Sequence, residues 1–428
     1  MTSILLFILL LYAVVYCLMS NRDLFSPAKL YHLFLCIFFI DIFLSNYDGY
    51  VYVVYVIYIV LGIIMSTLEQ KNVKRPEGQF HINIPEVYIP PKAHLKLWII
   101  SLIPIIAQLY LIDISGGLGT FDKTVALRIR EWQGLGYIRI WTKLFPILNL
   151  TYYSIGLLSR KSLGWWFLYT VHFAMFCIFA LLSGSRGFLL CHIFYMIMLY
   201  HYLKRNINLR TAAVVSCFFL IFACFLGAFR QNIVGKVDTP FVAINESLNK
   251  PNLMLFKYGL IPLDMIFEGH FNDYQYGKTF ASAITNFIPR HIWPGKYDSG
   301  GVVLTRFFHG YAYIGTSHYS TGLVTESILN FGYTVGIPFS FVMFIFIIHL
   351  NVKLYTYCLR QMCRLKSSLF LFVLIVYPTL VSLTGAMLYS EFSHLVSALL
   401  TRCLFVLIVV ACLQVRLGSG VFYSKLVR

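Results

Sequence analysis

Charged residues are scarce in this sequence. Only 12% of the 428 residues are charged, whereas soluble globular domains carry roughly a quarter. Hydrophobic residues make up 59% of the chain, and they are gathered into runs of about the 20 residues that cross a bilayer as a helix. This balance predicts an integral membrane protein without a soluble domain of ordinary size.

Motifs of several other protein classes are missing as well. The sequence contains no Gly-x-x-x-x-Gly-Lys phosphate loop, no His-Glu-x-x-His motif and no Asp-x-Asp pair. Nucleotide-driven transport, metallo-hydrolysis and a metal-bound nucleotide-sugar donor therefore lack support. The ten cysteines show no paired metal-site spacing; eight lie in apolar runs, and Cys358 and Cys363 lie in a predicted basic loop. We predict no metal and no cofactor, with the cysteines acting as small packing residues.

Eleven apolar runs predict eleven transmembrane helices and an all-α polytopic fold, with residues 1–428 forming one membrane domain. The predicted spans cover about 3–20, 28–46, 49–67, 94–112, 142–159, 164–182, 187–203, 211–229, 332–352, 367–388 and 395–415. The net charge of +17 does not indicate a nucleic-acid partner, because the basic residues lie between these runs rather than along one soluble face.

The basic residues predict how the chain is oriented. Clusters such as Lys71, Lys74 and Arg75 lie in alternate loops, and Lys and Arg mark cytoplasmic loops. The N-terminus is then outside and the C-terminus cytoplasmic. Two outer segments follow, 113–140 and 230–331, and the apolar stretches of the second predict interfacial or re-entrant helices.

Several cations on the outer side oppose this charge bias, and such residues are candidates for function. They are Arg128, Arg130, Arg186, Arg230, Arg290, Lys296 and Arg306. Arg128 and Arg130 suit either an extended anion clamp or a solvated face. The acidic residues of the same segments, which are Asp264, Glu268, Asp273 and Asp298, are predicted to be solvated or bonded within the loop.

Residues 183–187 (Ser-Gly-Ser-Arg-Gly) connect two predicted spans. Two glycines allow close approach of a ligand to the backbone, and the Arg186 guanidinium carries five donors that suit phosphate oxygens. The alternative is a helix hairpin whose arginine anchors to lipid phosphates.

Residues 288–296 read Ile-Pro-Arg-His-Ile-Trp-Pro-Gly-Lys. Arg290, His291 and Lys296 could bind an anion, and Trp293 could stack on a sugar face. The alternative is an aromatic membrane anchor with flanking basic residues.

Residues 318–330 hold two candidate general bases, His318 and Glu326. A carboxyl group near the membrane can have a raised pKa and accept a proton from a hydroxyl. The alternative for Glu326 is a structural role, capping or hydrogen bonding at the start of a helix.

Taken together in this order, the three motifs resemble the oligosaccharide repeat-unit polymerases, also called Wzy-type or O-antigen polymerases. The likeness covers roughly residues 110–390 and rests on 183–187, on 288–296 and on the Ser320-Thr-Gly…Glu326…Asn330-Phe-Gly segment. It implies a metal-independent, multi-span membrane glycosyltransferase of the bacterial inner membrane with its active site facing the periplasm.

The resemblance also implies a reaction and partners. Such enzymes move a growing glycan from undecaprenyl diphosphate onto the incoming lipid-linked repeat unit, among membrane lipids and with a chain-length regulator as a further partner. Glu326 or His318 would be the base. The diphosphate and substrate would be bound by Arg186, Arg290, Arg128, Arg130, Arg230, Lys296, His291 and Trp293.

Two other functions stay open. An O-antigen ligase has a similar span-rich architecture and an arginine-rich outer loop. A lipid-linked oligosaccharide flippase would need a polar path through the membrane and usually shows related halves, whereas the charges here cluster outside the spans and no internal repeat is visible.

Overall fold

The computed structural model describes residues 2–20, 23–72, 87–88, 90, 92–117, 132, 134–159, 161–183, 186–205, 207–218, 221, 260–269, 271–290, 292–310, 318–364, 370–413 and 416–417. Within these ranges the regular secondary structure is helical, apart from one short antiparallel pair in which β1 (Val87–Tyr88) faces β2 (Arg416–Leu417).

The helices are named here in chain order. They are α1 (Thr2–Ser20), α2 (Pro27–Phe38), α3 (Gly49–Asn72), α4 (Ala93–Ile114), α5 (Gly136–Thr142), α6 (Leu144–Leu158), α7 (Leu163–Leu182), α8 (Arg186–Leu203), α9 (Leu209–Phe218), α10 (Leu260–Glu268), α11 (Lys278–Thr285), α12 (Gly300–His309), α13 (Gly322–Arg364), α14 (Phe370–Ala386) and α15 (Phe392–Leu413). One 3-10 helix follows α2, at Ile40–Phe43.

The length and composition of the helices confirm a helical membrane protein. Five helices among the described residues are long and apolar enough to cross a bilayer, namely α3, α4, α7, α13 and α15. Shorter apolar helices include α1, α2, α8, α9 and α14. Large apolar side chains such as Ile106, Phe167 and Phe346 are more than 60% exposed, as expected for a lipid-facing surface. The count of eleven spans and their orientation stay predictions.

Two predicted boundaries are wrong. The second span was expected to run from 28 to 46, but α2 ends at Phe38 and a 3-10 helix follows, where the buried Asp41 carboxylate accepts a hydrogen bond from Tyr47. The basic loop expected around Cys358 is helical, since α13 continues to Arg364. Cys358 is buried in the core, so this stretch of α13 is anchored by packing.

Helix α13 consists of two limbs joined at Gly332. This glycine has φ 73° and ψ −179°, a backbone conformation that is strained for residues with a Cβ atom. A Cβ atom on Gly336 would lie 2.5 Å from the Ser327 carbonyl oxygen, so the limbs fold back against each other, backbone to backbone. Every residue from 321 to 330 is buried. The first limb is therefore a short internal helix, and the apolar run predicted to start at 332 forms the second limb.

The buried core has two large parts. One joins α4, α6, α7, α8, α14 and α15, and the other joins α1, α2, α3, α10 and the first limb of α13. A buried carboxylate is bonded to residues of the first part: Asp23 Oδ2 accepts hydrogen bonds from Tyr202 (2.7 Å) and Tyr355 (2.8 Å), and Oδ1 accepts one from the Phe25 amide (3.0 Å). A buried carboxylate is tolerated only with such partners, so this hub holds α8 and α13 against the α1–α2 connection.

Candidate functional site

The first part of the site is a buried polar network around Glu326. The Thr279 hydroxyl donates to Glu326 Oε1 (2.9 Å), and the Phe392 amide donates to Oε2 (2.6 Å). Asn330, one turn further along α13, donates to Thr279 Oγ1 (2.6 Å) and accepts a hydrogen bond from the Gly277 amide (2.8 Å). Glu326 thus joins α11, α13 and the start of α15, and it has no exposed surface.

A second carboxyl group lies beside it. Glu391 precedes α15, and its Oε2 accepts a hydrogen bond from the Gly301 amide (2.7 Å) in the first turn of α12. Burial raises the pKa of Glu391, and the hydrogen bond from the Gly301 amide opposes that rise. A Cβ atom on Gly300 would lie 3.2 Å from Glu326 Cγ. The two carboxyl groups therefore flank the Gly300–Gly301 pair, and each caps the N-terminus of a helix.

Two residues before that pair, Asp298 bridges two arginines. One carboxylate oxygen accepts from Arg290 and the other from Arg306. The arginine side chains are 38% and 32% exposed, and Arg290 also donates to the Pro294 carbonyl oxygen (3.3 Å). An Arg–carboxylate contact can be exchanged for an Arg–phosphate contact with similar geometry. Because Cα atoms two residues apart lie within about 7 Å, the Asp298 cluster and the Glu326 network are adjacent.

Lys296 and His318 complete this cationic cluster. Lys296 Nζ donates to the Ile288 carbonyl oxygen (2.9 Å); burial lowers its pKa, the charge of Arg290 lowers it further, and Asp298 opposes both. Burial also lowers the pKa of His318, with Arg306 acting in the same direction and Asp298 against it. A histidine with a lowered pKa is neutral at pH 7 and can accept a proton.

The segment carrying His318 is held on α12. The Tyr319 amide donates to Thr305 Oγ1 (3.0 Å), and the Ser320 hydroxyl donates to the Tyr389 carbonyl oxygen. A Cβ atom on Gly301 would come within 2.2 Å of the Tyr319 carbonyl oxygen. Glycine at 301 is therefore what allows the segment around His318 to lie against α12.

An aromatic and apolar edge borders the cluster. Trp293 is 40% exposed, and its ring lies 6.1 Å from that of Tyr297 at an angle of 58°. Ile292 and Phe287 are also exposed. Such an edge suits either a sugar face or the headgroup layer of a membrane.

The structure brings together only some of the predicted site residues. Arg290, Lys296 and His318 belong to one cluster, Trp293 borders it, and Glu326 lies behind it. Arg186 begins α8, but its side chain is outside the described residues. Arg128, Arg130, Arg230 and His291 also lie outside the described residues.

Sequence reasoning underrated three residues. Asp298 was predicted to be solvated or bonded within the loop, and it is bonded to Arg290 and Arg306 of that loop. The sequence did not show that it joins two arginines, and Arg306 was noted only for facing outward. Glu391 was not considered. The available signal was that Glu391 is an isolated acid between two apolar runs, where a charge requires a partner.

Chemically, the cluster has what displacement of an anionic leaving group requires. Two arginines and Lys296 lie around one carboxylate, Asp298, and cations arranged in this way can stabilise the charge of a diphosphate. His318 supplies a base nearby. Among the described residues, no group of three His, Cys, Asp or Glu side chains could hold a metal ion.

No family model, curated protein or solved structure matches this chain. The likeness to the oligosaccharide polymerases rests on the sequence motifs alone.

Proposed function

We propose that this protein is a glycosyltransferase of the bacterial inner membrane that polymerises lipid-linked oligosaccharide repeat units at the periplasmic face. The observation that carries this proposal is the Asp298 cluster, in which two partly exposed arginines share one carboxylate beside a histidine with a lowered pKa. The cluster belongs to an all-helical membrane protein, where a lipid-linked substrate can reach it from the bilayer.

The proposed reaction is a displacement at a sugar anomeric carbon. A hydroxyl of the acceptor repeat attacks the anomeric carbon of the growing glycan, and the bond from that carbon to the undecaprenyl-diphosphate oxygen breaks. Neutral His318 takes the hydroxyl proton. Arg290 and Arg306 stabilise the charge on the departing diphosphate, which leaves as a free lipid diphosphate.

The buried network supports a positioning role for Glu326 rather than that of the base. Both carboxylate oxygens already accept hydrogen bonds, and the side chain has no exposed surface. A substrate hydroxyl reaches it only if α11 or α15 moves. The partly exposed His318 is therefore the base of the proposed reaction, and Glu326 holds α13 and α15 in register behind the cluster.

Deletion of the gene tests the proposal, with surface lipopolysaccharide or capsule as the readout. If the lipopolysaccharide core then carries a single repeat unit, and the gel ladder of longer glycan chains is lost, the result supports polymerisation. A ligase predicts lipid-linked polymer that accumulates outside the cell while the core stays bare. A flippase predicts single lipid-linked repeats trapped on the cytoplasmic side, and either of these last two results would overturn the proposal.

A further inference from the structure

Helix α11 has its polar face turned inward. Thr279, Ser282 and Thr285 are spaced three residues apart along one face of the helix, and all three are buried. Thr279 donates to Glu326 (2.9 Å), and Ser282 donates to the Thr279 carbonyl oxygen (2.6 Å). On the other face, Ile284 is 73% exposed. Surface helices of soluble proteins show the opposite arrangement, with the apolar face buried, so the outer face of α11 suits apolar surroundings.

The segment after α11 continues this apolar face. Phe287, Ile292, Trp293 and Tyr297 are all exposed, with Ile292 at 67%. Exposed apolar residues that gather in one segment mark a surface that contacts a protein or a membrane. Tryptophan and tyrosine favour the headgroup layer, because each ring is apolar along most of its length and polar at one end. We call the described residues from 276 to 297 the α11 surface.

The α11 surface lies at the ends of two membrane spans. Phe280 packs on Phe392, the first residue of α15, with 5.5 Å between ring centres, and on Phe339 of α13, at 5.8 Å. Both helices are long and apolar enough to cross a bilayer. Phe339 is seven residues beyond the joint at Gly332, or about 10 Å along the helix axis. Because a spanning helix begins near the headgroups, α11 lies close to the boundary between headgroups and acyl chains.

The neighbouring face of α13 is exposed and apolar as well. Val335 and Val342 are 58% and 66% exposed. They precede Phe339 by four residues and follow it by three, so the three side chains lie on one side of the limb. Phe280 of α11 therefore packs beside side chains that are expected to face lipid. The α11 surface is continuous with the lipid-facing side of a span.

The charges of the α11 surface complement an anionic headgroup. Residues 276–297 include Lys278, Arg290 and Lys296 but no Asp or Glu. Asp298 follows directly and bonds to Arg290, while Lys278 is exposed in the first turn of α11. Lys and Arg near a bilayer attract anionic lipids. Apolar residues flanked by such cations are typical of segments that lie in the membrane interface.

We propose that the α11 surface lies in the headgroup layer of the bilayer, with Ile284 and Ile292 against the acyl chains and its lysines beside anionic phospholipid headgroups. Trp293 then contacts lipid rather than a sugar face. This arrangement does not depend on the proposed function, because it requires only bilayer lipid. Arg290 belongs both to the α11 surface and to the Asp298 cluster, so the cluster lies at the depth of the lipid phosphates.

Quenching of Trp293 fluorescence tests this placement. The full chain is reconstituted in nanodiscs whose phospholipids carry bromine either near the headgroup or near the end of the acyl chain, and bromine quenches only tryptophans that it closely approaches. The chain contains six tryptophans, so the signal of Trp293 is the difference between the native chain and Trp293→Phe. We expect shallow bromine to remove most of this difference signal and the water-soluble quencher acrylamide to remove little of it.

A tryptophan at a mid-span position is the matched control. Phe346→Trp, made together with Trp293→Phe, exchanges one exposed aromatic side chain of α13 for another, and deep bromine should quench it more than shallow bromine. Quenching of Trp293 by acrylamide would mean that water covers the α11 surface, and quenching by neither reagent would mean that protein covers it. Either result would overturn the proposal, as would deep quenching of Trp293 equal to that of the mid-span control.

The same signal tests the preference for anionic lipid. In equal mixtures, bromine is placed on phosphatidylglycerol alone or on phosphatidylcholine alone, and we expect brominated phosphatidylglycerol to quench Trp293 more strongly. Lys296→Gln should reduce the enrichment of phosphatidylglycerol about two- to fivefold. Lys353→Gln, an exposed lysine about 30 Å along α13 from Gly332, should leave it unchanged. Equal quenching by the two lipids in the native chain would overturn the assignment of an anionic partner.

Failure of this proposal can be told apart from failure of the proposed function, because the fluorescence measurement uses no glycan. If gene deletion leaves the polymer intact while shallow bromine still quenches Trp293, the membrane placement stands and the polymerase proposal fails. If gene deletion abolishes the polymer while acrylamide quenches Trp293, the polymerase proposal stands and the membrane placement of the α11 surface is wrong.

Discussion

The backbone amide of Phe392 donates a 2.6 Å hydrogen bond to Glu326 Oε2, across 66 residues of sequence. Glu326 thereby caps the first turn of α15 from within α13. On the other side, Thr279 joins the same carboxyl group to α11. One buried side chain thus joins three helices beside the Asp298 cluster, and its substitution distinguishes a structural role of Glu326 from a chemical one.

Replacement of Glu326 is expected to affect stability more than chemistry. Glu326→Ala leaves the Phe392 amide without its buried partner, at a cost of about 1–3 kcal/mol, and should lower the unfolding temperature in detergent. Glu326→Gln keeps an oxygen for that amide and should keep activity within about tenfold of the native rate. A general base would instead lose about 100- to 10,000-fold in Glu326→Gln with unchanged stability. Exposed Glu268→Gln is the matched control.

Removal of either arginine that bonds Asp298 should weaken binding of the lipid diphosphate. Arg290→Gln and Arg306→Gln each lose a charge-assisted contact of about 1.5–3 kcal/mol, which corresponds to about 10- to 100-fold in affinity. Shorter polymer on a gel and a higher KM for the lipid-linked donor are the readouts. Arg360→Gln, an exposed arginine far along α13, should change neither. Native polymer length in both cluster variants would rule out the assigned roles.

The acid limb of the pH–rate profile should move in opposite directions in two variants. Burial lowers the pKa of His318, Arg306 adds to that effect, and Asp298 opposes it. The neutral form of His318 is the base, so the transfer rate rises as pH increases through its pKa. Arg306→Gln raises that pKa and shifts the acid limb to higher pH, whereas Asp298→Asn lowers it and shifts the limb to lower pH. The measurement is the in vitro rate of glycan transfer as a function of pH. If the acid limb moves in the same direction in both variants, His318 is not the base.

A methyl group at position 301 should displace the His318 segment. In Gly301→Ala, the added Cβ atom would lie 2.2 Å from the Tyr319 carbonyl oxygen, and overpacking of this kind costs about 1–3 kcal/mol. We expect a lower unfolding temperature together with loss of transfer. Gly164→Ala is the control. Gly164 lies in the exposed first turn of α7, and an added Cβ atom there would lie 3.8 Å from the Ser162 hydroxyl oxygen, an ordinary contact distance. This substitution should leave the stability of the protein unchanged or raise it slightly. An unchanged melting curve for Gly301→Ala would refute this geometry.

The helical membrane class follows from the sequence alone. Long apolar runs predict helices because every backbone amide and carbonyl in a bilayer must be bonded within its own segment. The starts of α7 and α8 agree within a residue with the predicted spans, because the boundary between polar and apolar residues marks where a span begins. Arg290 and Lys296 were singled out because their charge opposes the topological bias, and His318 because it is a candidate base. The structure places the three in one cluster, while their roles stay predictions.

The roles of the site residues depended on the tertiary structure. Sequence spacing could not show that Asp298 bonds both Arg290 and Arg306, that Glu391 caps α12, or that Glu326 is enclosed with both oxygens engaged. The physical reason is that local hydrophobicity specifies helices, whereas the partners of a polar side chain are set by contacts between residues far apart in the chain.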